Sequence, residues 1–403
     1  MKQNKIKLGI FGFGCVGQGL YYTLEQTQGL KAEVVKICIK DRTKERSIPS
    51  HYFTFDKDEI LDNPDINVVV ELIDDPKAAY EIVVKALKSG KAVVTANKKM
   101  VADNFEELFK IQQEYNVPLL YESSCCASIP VIRNLEEYYD NDLINAVEGI
   151  FNGSSNYILT KIFNENAVYA EALKDAQEKG FAETNPILDV GGFDSKNKLC
   201  IIIAHAFGLF VKPEQIFNYG IQNINAFDVQ YAREKGFRIR LVGFTRKVGK
   251  GVVGAVLPAF VKEENILYSI NNEYNGVIVE GAFSENQFFL GKGAGSYPTG
   301  SAVLSDISAL TYGYKYEYKK YHQNIENRDL NLVDDFKFEV YIRRNGDLKT
   351  IAPLFDEIIE VHRSGNINYL VGTISFSKLK SSGVFEDNDA VVILSSNNKI
   401  EIA

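Results

Sequence analysis

The chain reads as an α/β protein in three parts. An N-terminal parallel sheet carries helices on both faces, an α+β region follows it, and a small β-rich unit closes the chain. Three observations predict this. Short apolar runs alternate with segments of helical spacing through the first third of the sequence, which is the pattern of a parallel sheet with crossover helices. Near Asp142 longer stretches of alternating polarity take over. After a polar, charged stretch at Gln323–Asp335, which reads as a linker, four further β-like segments remain.

Composition narrows the class. At 403 residues and 45% hydrophobic content the chain supports two or three domains with real cores. The formal charge of −8 comes from interspersed acids and bases, which argues against a nucleic acid partner. No apolar run approaches the ~20 residues that span a bilayer, so no membrane association is expected. The opening MKQNKIKLGIFGFG is basic and then apolar, like a signal peptide, but Gly12 and Gly14 interrupt it and a buried strand fits better. The five cysteines (Cys15, Cys38, Cys125, Cys126 and Cys200) show no CxxC spacing and no companion histidines, which fits a reducing cytoplasm without disulfides or zinc.

In order, Lys5–Phe11 reads as a buried strand, Val16–Leu30 as a helix and Ala32–Lys40 as a second strand. Asn67–Ile73, Lys91–Thr95 and Val117–Tyr121 are further strands, with helices at Ala78–Lys88 and Phe105–Tyr115 between them. Past residue 142 come INAVEGIFNG, RIRLVGFTRK, VVGAVLPAFV, GVIVEGAF and QFFLGKG as strands, with helices at Tyr157–Phe163, Ala170–Glu178 and Asp194–Phe207. A glycine loop then leads into a helix from about Thr299, expected to pack back on the first domain. FKFEVYIRR, IIEVHRSG, NYLVGTISFSKL and AVVILSS make the last unit, with one short helix conceivable at Asp347–Phe355 and no obvious second one. The expected domains are 1–138, 139–295 for substrate and dimerisation, 296–325 returning to the first, and 330–403.

Gly12-Phe13-Gly14-Cys15-Val16-Gly17 matches GxGxxG between the first strand and the first helix. The first glycine permits the tight turn, the second lets a pyrophosphate approach the backbone, and the third allows close helix packing. The motif defines a Rossmann-type NAD(P) site. The second strand ends Lys40-Asp41-Arg42. An acid there takes ribose hydroxyls and favours NAD, whereas bases take a 2′-phosphate and favour NADP. Lys40 and Arg42 tip the reading towards NADP, although a plain solvated loop would look similar. Thr95-Ala96-Asn97-Lys98 follows a strand whose carboxyl end faces the ligand crevice, so Lys98 is either a ligand-facing cation or a surface lysine at a helix start.

FNGSSNYIL (Phe151–Leu159) and FAETNPILDVGGFDSKNK (Phe181–Lys198) place Glu183, Asp189, Asp194 and Lys198 in sixteen residues. That density suits a small zwitterionic substrate. Asp194 and Lys198 stand at i and i+4 on one helix face. The spacing also fits an ordinary surface ion pair with Asp194 as N-cap, but Ile201, Ile202 and Ala204 make the helix largely buried, and a buried pair calls for a function. His51, His205, His322 and His362 have no metal-like or triad partners, and no G-x-S-x-G elbow supports serine hydrolysis.

GFGCVG, VVTANKK, FNGSSNYIL, GFAETNPILDVGGFDSKNK and GKGAGSYPTGSAVLSD occur in this order, and together they resemble homoserine dehydrogenase over residues 5–315. The resemblance implies NAD(P)-dependent interconversion of L-homoserine and L-aspartate 4-semialdehyde, in a homodimer or higher oligomer. It makes Lys198 the catalytic acid–base, with Lys98 as its partner near cofactor and substrate. Glu183, Asp189 and Asp194 would hold the substrate ammonium or the lysine, and Gly153 and Ser154 would contact substrate. Gly12 to Gly17, Lys40, Arg42, Thr95, Lys98, Gly293 and Gly295 fall to the cofactor. Some members bind Na+ or K+ through backbone oxygens, which here would be those of Glu122, Cys125, Ala127 and Ile129. The C-terminal unit matches an ACT sensor in size. Several positions depart from the family: Cys125-Cys126 replace a glycine-rich loop, Asp74-Asp75 a Gly-Gly pair, Ser154 a threonine and Phe181 a tyrosine. The competing readings are another Rossmann oxidoreductase on a small polar substrate, and a non-catalytic NAD(P)-binding sensor, which would not need Lys98 and Lys198.

Overall fold

The computed structural model describes residues 5–402 apart from 142, 328, 329, 334, 366 and 397–399. Asp142, where the sequence changes character, therefore lies outside the described residues. The chain folds into two compact units: Met1–Asp140 with Gly291–Lys319, and Asn141–Leu290 with Lys320–Ala403.

The first unit is built on six parallel strands: β1 (Ile6–Phe11), β2 (Ala32–Cys38), β3 (Phe53–Thr54), β4 (Val68–Glu71), β5 (Ala92–Thr95) and β6 (Leu119–Leu120). They run in the order 3-2-1-4-5-6, the doubly wound arrangement of dinucleotide-binding folds. Helices on both faces bury both sides of the sheet, which is why its central strands are continuous apolar runs. Val68, Val69 and Val70 are buried as expected, and Glu71 is the charged exception. The first helix, α1 (Cys15–Gln26), stops four residues short of the sequence expectation because Thr27 turns to an extended conformation. The helix α2 (Pro76–Lys88) starts earlier than expected: Asp75 accepts from the Lys77 and Ala78 amides, and proline suits the first helical position. Helix Ser296–Leu310 packs on α1. Two glycines allow this, since a Cβ on Gly19 would lie 2.0 Å from the Ser296 carbonyl and one on Gly300 2.5 Å from the Leu20 nitrogen.

The second unit carries a mixed twelve-stranded sheet. Its strands are β7 (Ile144–Ile150), β8 (Phe217–Asn218), β9 (Phe237–Val248), β10 (Gly251–Lys262), β11 (Tyr274–Gly281), β12 (Glu285–Lys292), β13 (Asn331–Leu332), β14 (Phe336–Asn345), β15 (Glu357–Ser364), β16 (Ile367–Ser375), β17 (Ala390–Leu394) and β18 (Glu401–Ile402). The main path runs 12-11-7-9-10-17-14-16-15. The antiparallel pair β9–β10 is its spine, in register from Gly251 opposite Val248 to Lys262 opposite Phe237. Alternation divides β10 between two faces. Gly254 faces Ile203 of the helix Phe193–Phe207, while Val253, Ala255, Leu257, Ala259 and Val261 belong to the core on the other face.

The C-terminal segment corrects the sequence reading. Residues 330–403 do not form a separate small domain: β17 pairs with β10 at Ala259–Leu394, β13 pairs with it at Gly251–Asn331, and Phe336, Phe338, Val340 and Val392 share the core of β9 and β10. Most of the expected linker at Gln323–Asp335 is likewise structured, as the end of a helix Lys319–Asn327 and as β13, with Arg328, Asp329 and Asp334 outside the described residues. Asp347–Phe355 contributes only a 3-10 turn at Ala352–Leu354, and the second helix is Phe376–Ser381, capped by the Ser375 side chain. Strands β14 to β17 nevertheless lie in the order 4-1-3-2 with antiparallel neighbours, that of a ferredoxin-like β-α-β-β-α-β unit with its helices reduced.

One buried ion pair joins this segment to the rest of the unit. Arg343 Nε donates to Asp228 Oδ1 at 2.8 Å, the Tyr341 hydroxyl donates to the same oxygen at 3.0 Å, and Arg343 also donates to the Asn223 carbonyl. Asp228 stands on the helix Ala226–Glu234. Removing one partner leaves the other charge buried, which typically costs about 3–5 kcal/mol. Asp228→Ala should therefore lower the urea midpoint of the whole second unit in one transition. A variant that melts its C-terminal strands separately, leaving the transition of the remainder in place, would contradict the single core.

Candidate active site

The dinucleotide motif meets the structural demands of its three glycines differently. Gly12 has φ +97°, and a Cβ there would lie 2.6 Å from the Leu72 carbonyl oxygen. A Cβ on Gly17 would lie 2.5 Å from the Gly12 carbonyl oxygen. Gly14, in contrast, has open space where its Cβ would be. It caps α1 without a side chain, and the first turn holds no acid. The helix thus presents unobstructed amide N–H groups and its positive end, which fits a pyrophosphate. Phe13 is buried and packs edge-on against Tyr21 and Phe53, and Cys15 is exposed with its carbonyl accepting from Ser296 Oγ at 2.7 Å. Val16 is the remaining residue of the turn and is half-buried. Gly295 has φ +119° at the start of the helix that packs on α1, two residues after Gly293.

At the end of β2, the Asp41 carboxylate is occupied by its own loop. It accepts from the Thr43 hydroxyl at 2.7 Å, the Thr43 amide at 2.8 Å and the Lys44 amide at 3.3 Å. The Thr43 bonds hold it below the usual carboxylate range. Lys40 and Arg42 are exposed on either side, and the Arg42 guanidinium lies 4.4 Å from the centre of the Phe55 ring.

In the second unit, Lys198 and Asp194 are 5% and 7% exposed on the helix Phe193–Phe207. A lysine–carboxylate pair so buried must be fully partnered to persist. Lys198 Nζ donates to Asp194 Oδ2 at 2.7 Å and to the Phe151 carbonyl at 2.6 Å. Asn152 Nδ2 donates to Asp194 Oδ2 at 2.9 Å and to Asp189 Oδ1 at 2.7 Å, while its Oδ1 caps the helix Gly153–Glu165 through the Ser155 amide. Asn275 Nδ2 donates to the Phe151 carbonyl at 2.9 Å. Asp189, Asp194 and Lys198 are thus brought together, as the i, i+4 spacing and the acid-rich segment suggested. Asn152 and Asn275 join them, and neither was singled out from the sequence. Asn152 sits inside a quoted motif as the start signal of a helix, whereas Asn275 near the start of β11 follows a polar stretch with no local signal.

Other expected residues have different roles in this structure. Gly153 permits close approach, since a Cβ there would be 2.5 Å from the Glu273 carbonyl oxygen. The Ser154 hydroxyl donates to the Phe181 carbonyl. Glu183 is exposed, and no hydrogen bond joins its side chain to the lysine cluster among the described residues. Lys98 begins the helix Lys98–Asp103, capped by the Asn97 side chain, and Thr95 is fully buried.

The loop expected to hold a cation is wholly buried at Glu122, Cys125, Ala127 and Ile129. The Glu122 and Ile129 carbonyls accept from the Cys125 and Val131 amides, leaving each a second lone pair. Cys126 and Ala127 adopt φ +56° and +41°, so the backbone keeps a glycine-like turn without the glycines. Burial pushes Glu122 up to about 8, aided by Asp306, while the Arg133 and Ile132 amides pull it back. Among the described residues no group of three or more His, Cys, Asp or Glu could hold a metal ion, and no helix is long and apolar enough to cross a membrane.

The strand order, the open glycine turn and the buried lysine define a dinucleotide-dependent oxidoreductase. Residues 12–122 match the family model described as homoserine dehydrogenase, NAD binding domain, and residues 130–308 match that of homoserine dehydrogenase. The chain is 34% identical over 314 residues to the homoserine dehydrogenase of Bacillus subtilis (strain 168), covering 76% of this chain and 72% of that one. It is 33% identical over 384 residues to that of Lactococcus lactis subsp. lactis (strain IL1403), covering 85% and 90%. A homoserine dehydrogenase structure from Thiobacillus denitrificans superposes with TM-score 0.83 at 27% identity over 97% of this chain and 98% of that one. A hyperthermophilic archaeal homoserine dehydrogenase in complex with NADPH gives 0.67 at 25% identity over 78% and 99%. The chain belongs to the homoserine dehydrogenase family of NAD(P)-dependent oxidoreductases.

The glycine geometry separates folding from binding. Gly14→Ala should leave stability within about 0.5 kcal/mol, because its methyl enters open space. Cofactor affinity should fall at least ~10-fold, because that space is where the pyrophosphate must approach. Gly17→Ala should destabilise by roughly 1–3 kcal/mol through overpacking. Thermal melts paired with NADPH fluorescence titration distinguish the two, and equal behaviour of both variants would refute the division.

Proposed function

We propose that this chain interconverts L-homoserine and L-aspartate 4-semialdehyde on the route to threonine, methionine and isoleucine, with Lys198 as the general acid–base. The observation that carries the reading is the buried Lys198–Asp194 pair, bonded also to the Phe151 carbonyl and the Asn152 side chain. Oxidation removes a hydride from the carbinol carbon and a proton from its oxygen. A bound NAD(P) would supply the hydride acceptor. Lys198, as its neutral amine, takes the proton, and in the reverse direction its ammonium returns one to the oxygen where negative charge develops. Asp194 and the Phe151 carbonyl orient the Lys198 amine, and Asn152 keeps the two aspartates in fixed relation. Asp189 and Glu183 are assigned to the substrate ammonium, with Gly153 and Ser154 at the head of the helix beside it. Lys98 is assigned to the cofactor and substrate, with Thr95, Gly293 and Gly295 lining the cofactor.

The reading favours NADP over NAD. The Asp41 carboxylate is engaged by Thr43 and Lys44, whereas Lys40 and Arg42 are exposed beside it. The loop Glu122–Ile129 is proposed to bind Na+ or K+ through carbonyl oxygens, supported by the glycine-like turn at Cys126-Ala127. A homodimer or higher oligomer through the second unit and a cytoplasmic location complete the proposal. The order of β14 to β17 supports an ACT-like origin for the C-terminal strands.

Lys198→Ala should lower kcat at least ~100-fold, the usual cost of losing a general acid–base. Binding of NADPH should persist, since the lysine acts on charge present only in the transition state. A variant retaining more than about a tenth of wild-type turnover would remove Lys198 from this role.

Replacing Lys40 and Arg42 together by alanine should raise the KM for NADPH by ~10-fold or more and leave that for NADH almost unchanged, because only the 2′-phosphate offers them a partner. Equal losses for both cofactors would make the loop structural and the NADP preference wrong.

A further inference from the structure

We infer that Glu71 is a positioning residue for the nucleotide crevice: its buried carboxyl closes a hydrogen-bonded ring that fixes the segment carrying Asn97 and Lys98. The inference rests on the assignment of Lys98 to the reaction.

The parallel sheet gives β4 an apolar interior, and Val68, Val69 and Val70 satisfy it. Glu71 ends the strand at 0% exposure. An uncompensated carboxyl in that position is unfavourable, and a valine or threonine would serve the sheet better. The position is distinctive: β4 neighbours β1 at the point where strand order reverses, and the carboxyl ends of these strands face the ligand crevice.

The partners of Glu71 form a closed circuit. Its Oε1 accepts from the Ile73 amide at 2.6 Å, and its Oε2 accepts from Thr95 Oγ1 at 2.5 Å. Thr95 Oγ1 accepts in turn from the Asn97 amide at 3.0 Å. Asn97 Nδ2 returns to the Ile73 carbonyl, also at 3.0 Å. Two loops that follow adjacent strands are thereby locked to each other through one carboxyl. Asn97 Oδ1 then caps the next helix through the Met100 amide at 3.0 Å, and Lys98 is the first residue of that helix. On the other side, the Leu72 amide donates to Phe11 at 2.8 Å and the Leu72 carbonyl abuts Gly12, so the same circuit borders the glycine turn.

Burial pushes Glu71 up to about 7, against the pull of the Thr95 and Ile73 bonds, with the Asp74 charge acting in the same direction as burial. The neutral acid can keep the whole circuit, by donating to Thr95 Oγ1 while accepting from Ile73. A glutamine can make the same two contacts, its Nε2 donating to Thr95 Oγ1 and its Oε1 accepting from the Ile73 amide. The ring, rather than a charge, is what the position requires.

The test compares Glu71→Gln and Glu71→Ala in the full chain, by steady-state kinetics with homoserine and NADP+ and by thermal melting. Glu71→Gln should keep kcat within about threefold of wild type. Glu71→Ala should lose at least ~10-fold in kcat, since small displacements of an aligned group cost up to about 100-fold. The homoserine KM should change less than kcat. Thr95→Val, which breaks the ring at its hydroxyl, should repeat the loss and serves if Glu71→Ala does not fold. A folded Glu71→Ala or Thr95→Val with near wild-type kcat overturns the inference, as does a Glu71→Gln variant as impaired as Glu71→Ala. Lys98→Ala separates the underlying assignment. If it alone keeps wild-type kcat, Lys98 has no part in the reaction. If Lys98→Ala is impaired and Glu71→Ala adds nothing further in its background, the ring acts through Lys98. If the two losses multiply, the ring does not act through Lys98.

Discussion

Burying the Lys198–Asp194 pair is the constraint around which the second unit is arranged. Neither charge could leave water without a complete set of partners. The Phe151 carbonyl is one of them, and the ring of the same residue is fully buried. Cβ atoms on Gly149 and Gly243 would lie 2.7 and 2.5 Å from that ring, so two strands leave room for it by carrying glycine there. The Asn152 side chain does double service, starting one helix and joining two aspartates that stand before and within another. The polar centre and the apolar sheet therefore specify each other: altering a glycine under the Phe151 ring disturbs the lysine two contacts away.

The first unit solves a related problem by different means. Its crevice is formed by backbone, through glycines that bring α1 close to β1 and a second pair, Gly19 and Gly300, that brings a distant helix against α1. The carboxyls that are buried there, Glu71, Glu122 and Asp306, each hold backbone amides, and Glu71 and Asp306 hold a side chain as well. Carboxyls in this unit fasten loops, whereas in the second unit Asp194 flanks a lysine and Asp228 an arginine.

The legibility of these features in the sequence followed how local they are. The strand–GxGxxG–helix turn and the Asp194–Lys198 spacing depend on neighbours within one helical turn, and the structure has both as read. The β-rich composition of FKFEVYIRR and AVVILSS correctly marks strands, but polarity cannot say which sheet edge a strand will join. The union of β17 with β10 at Ala259–Leu394 spans the chain from the second unit's centre to its end, and so 330–403 read as a separate domain. Gln323–Asp335 read as a linker because its helix is polar almost throughout. Asn275 and Glu71 were invisible for a further reason: Asn275 bonds the Phe151 carbonyl and Glu71 the Thr95 hydroxyl, each in a distant segment, which leaves no local residue pattern to detect.

The far edge of β10 is shared by three short strands in succession, β13 at Gly251–Val252, β8 at Ala255–Val256 and β17 at Ala259. Two of the three come from beyond residue 330. A long strand rich in valine and alanine is a template for pairing with other chains wherever its edge is left open. The C-terminal segment thus covers part of an edge that would otherwise be open to such pairing. A shortened chain lacking it would be limited first by solubility, and only then by catalysis.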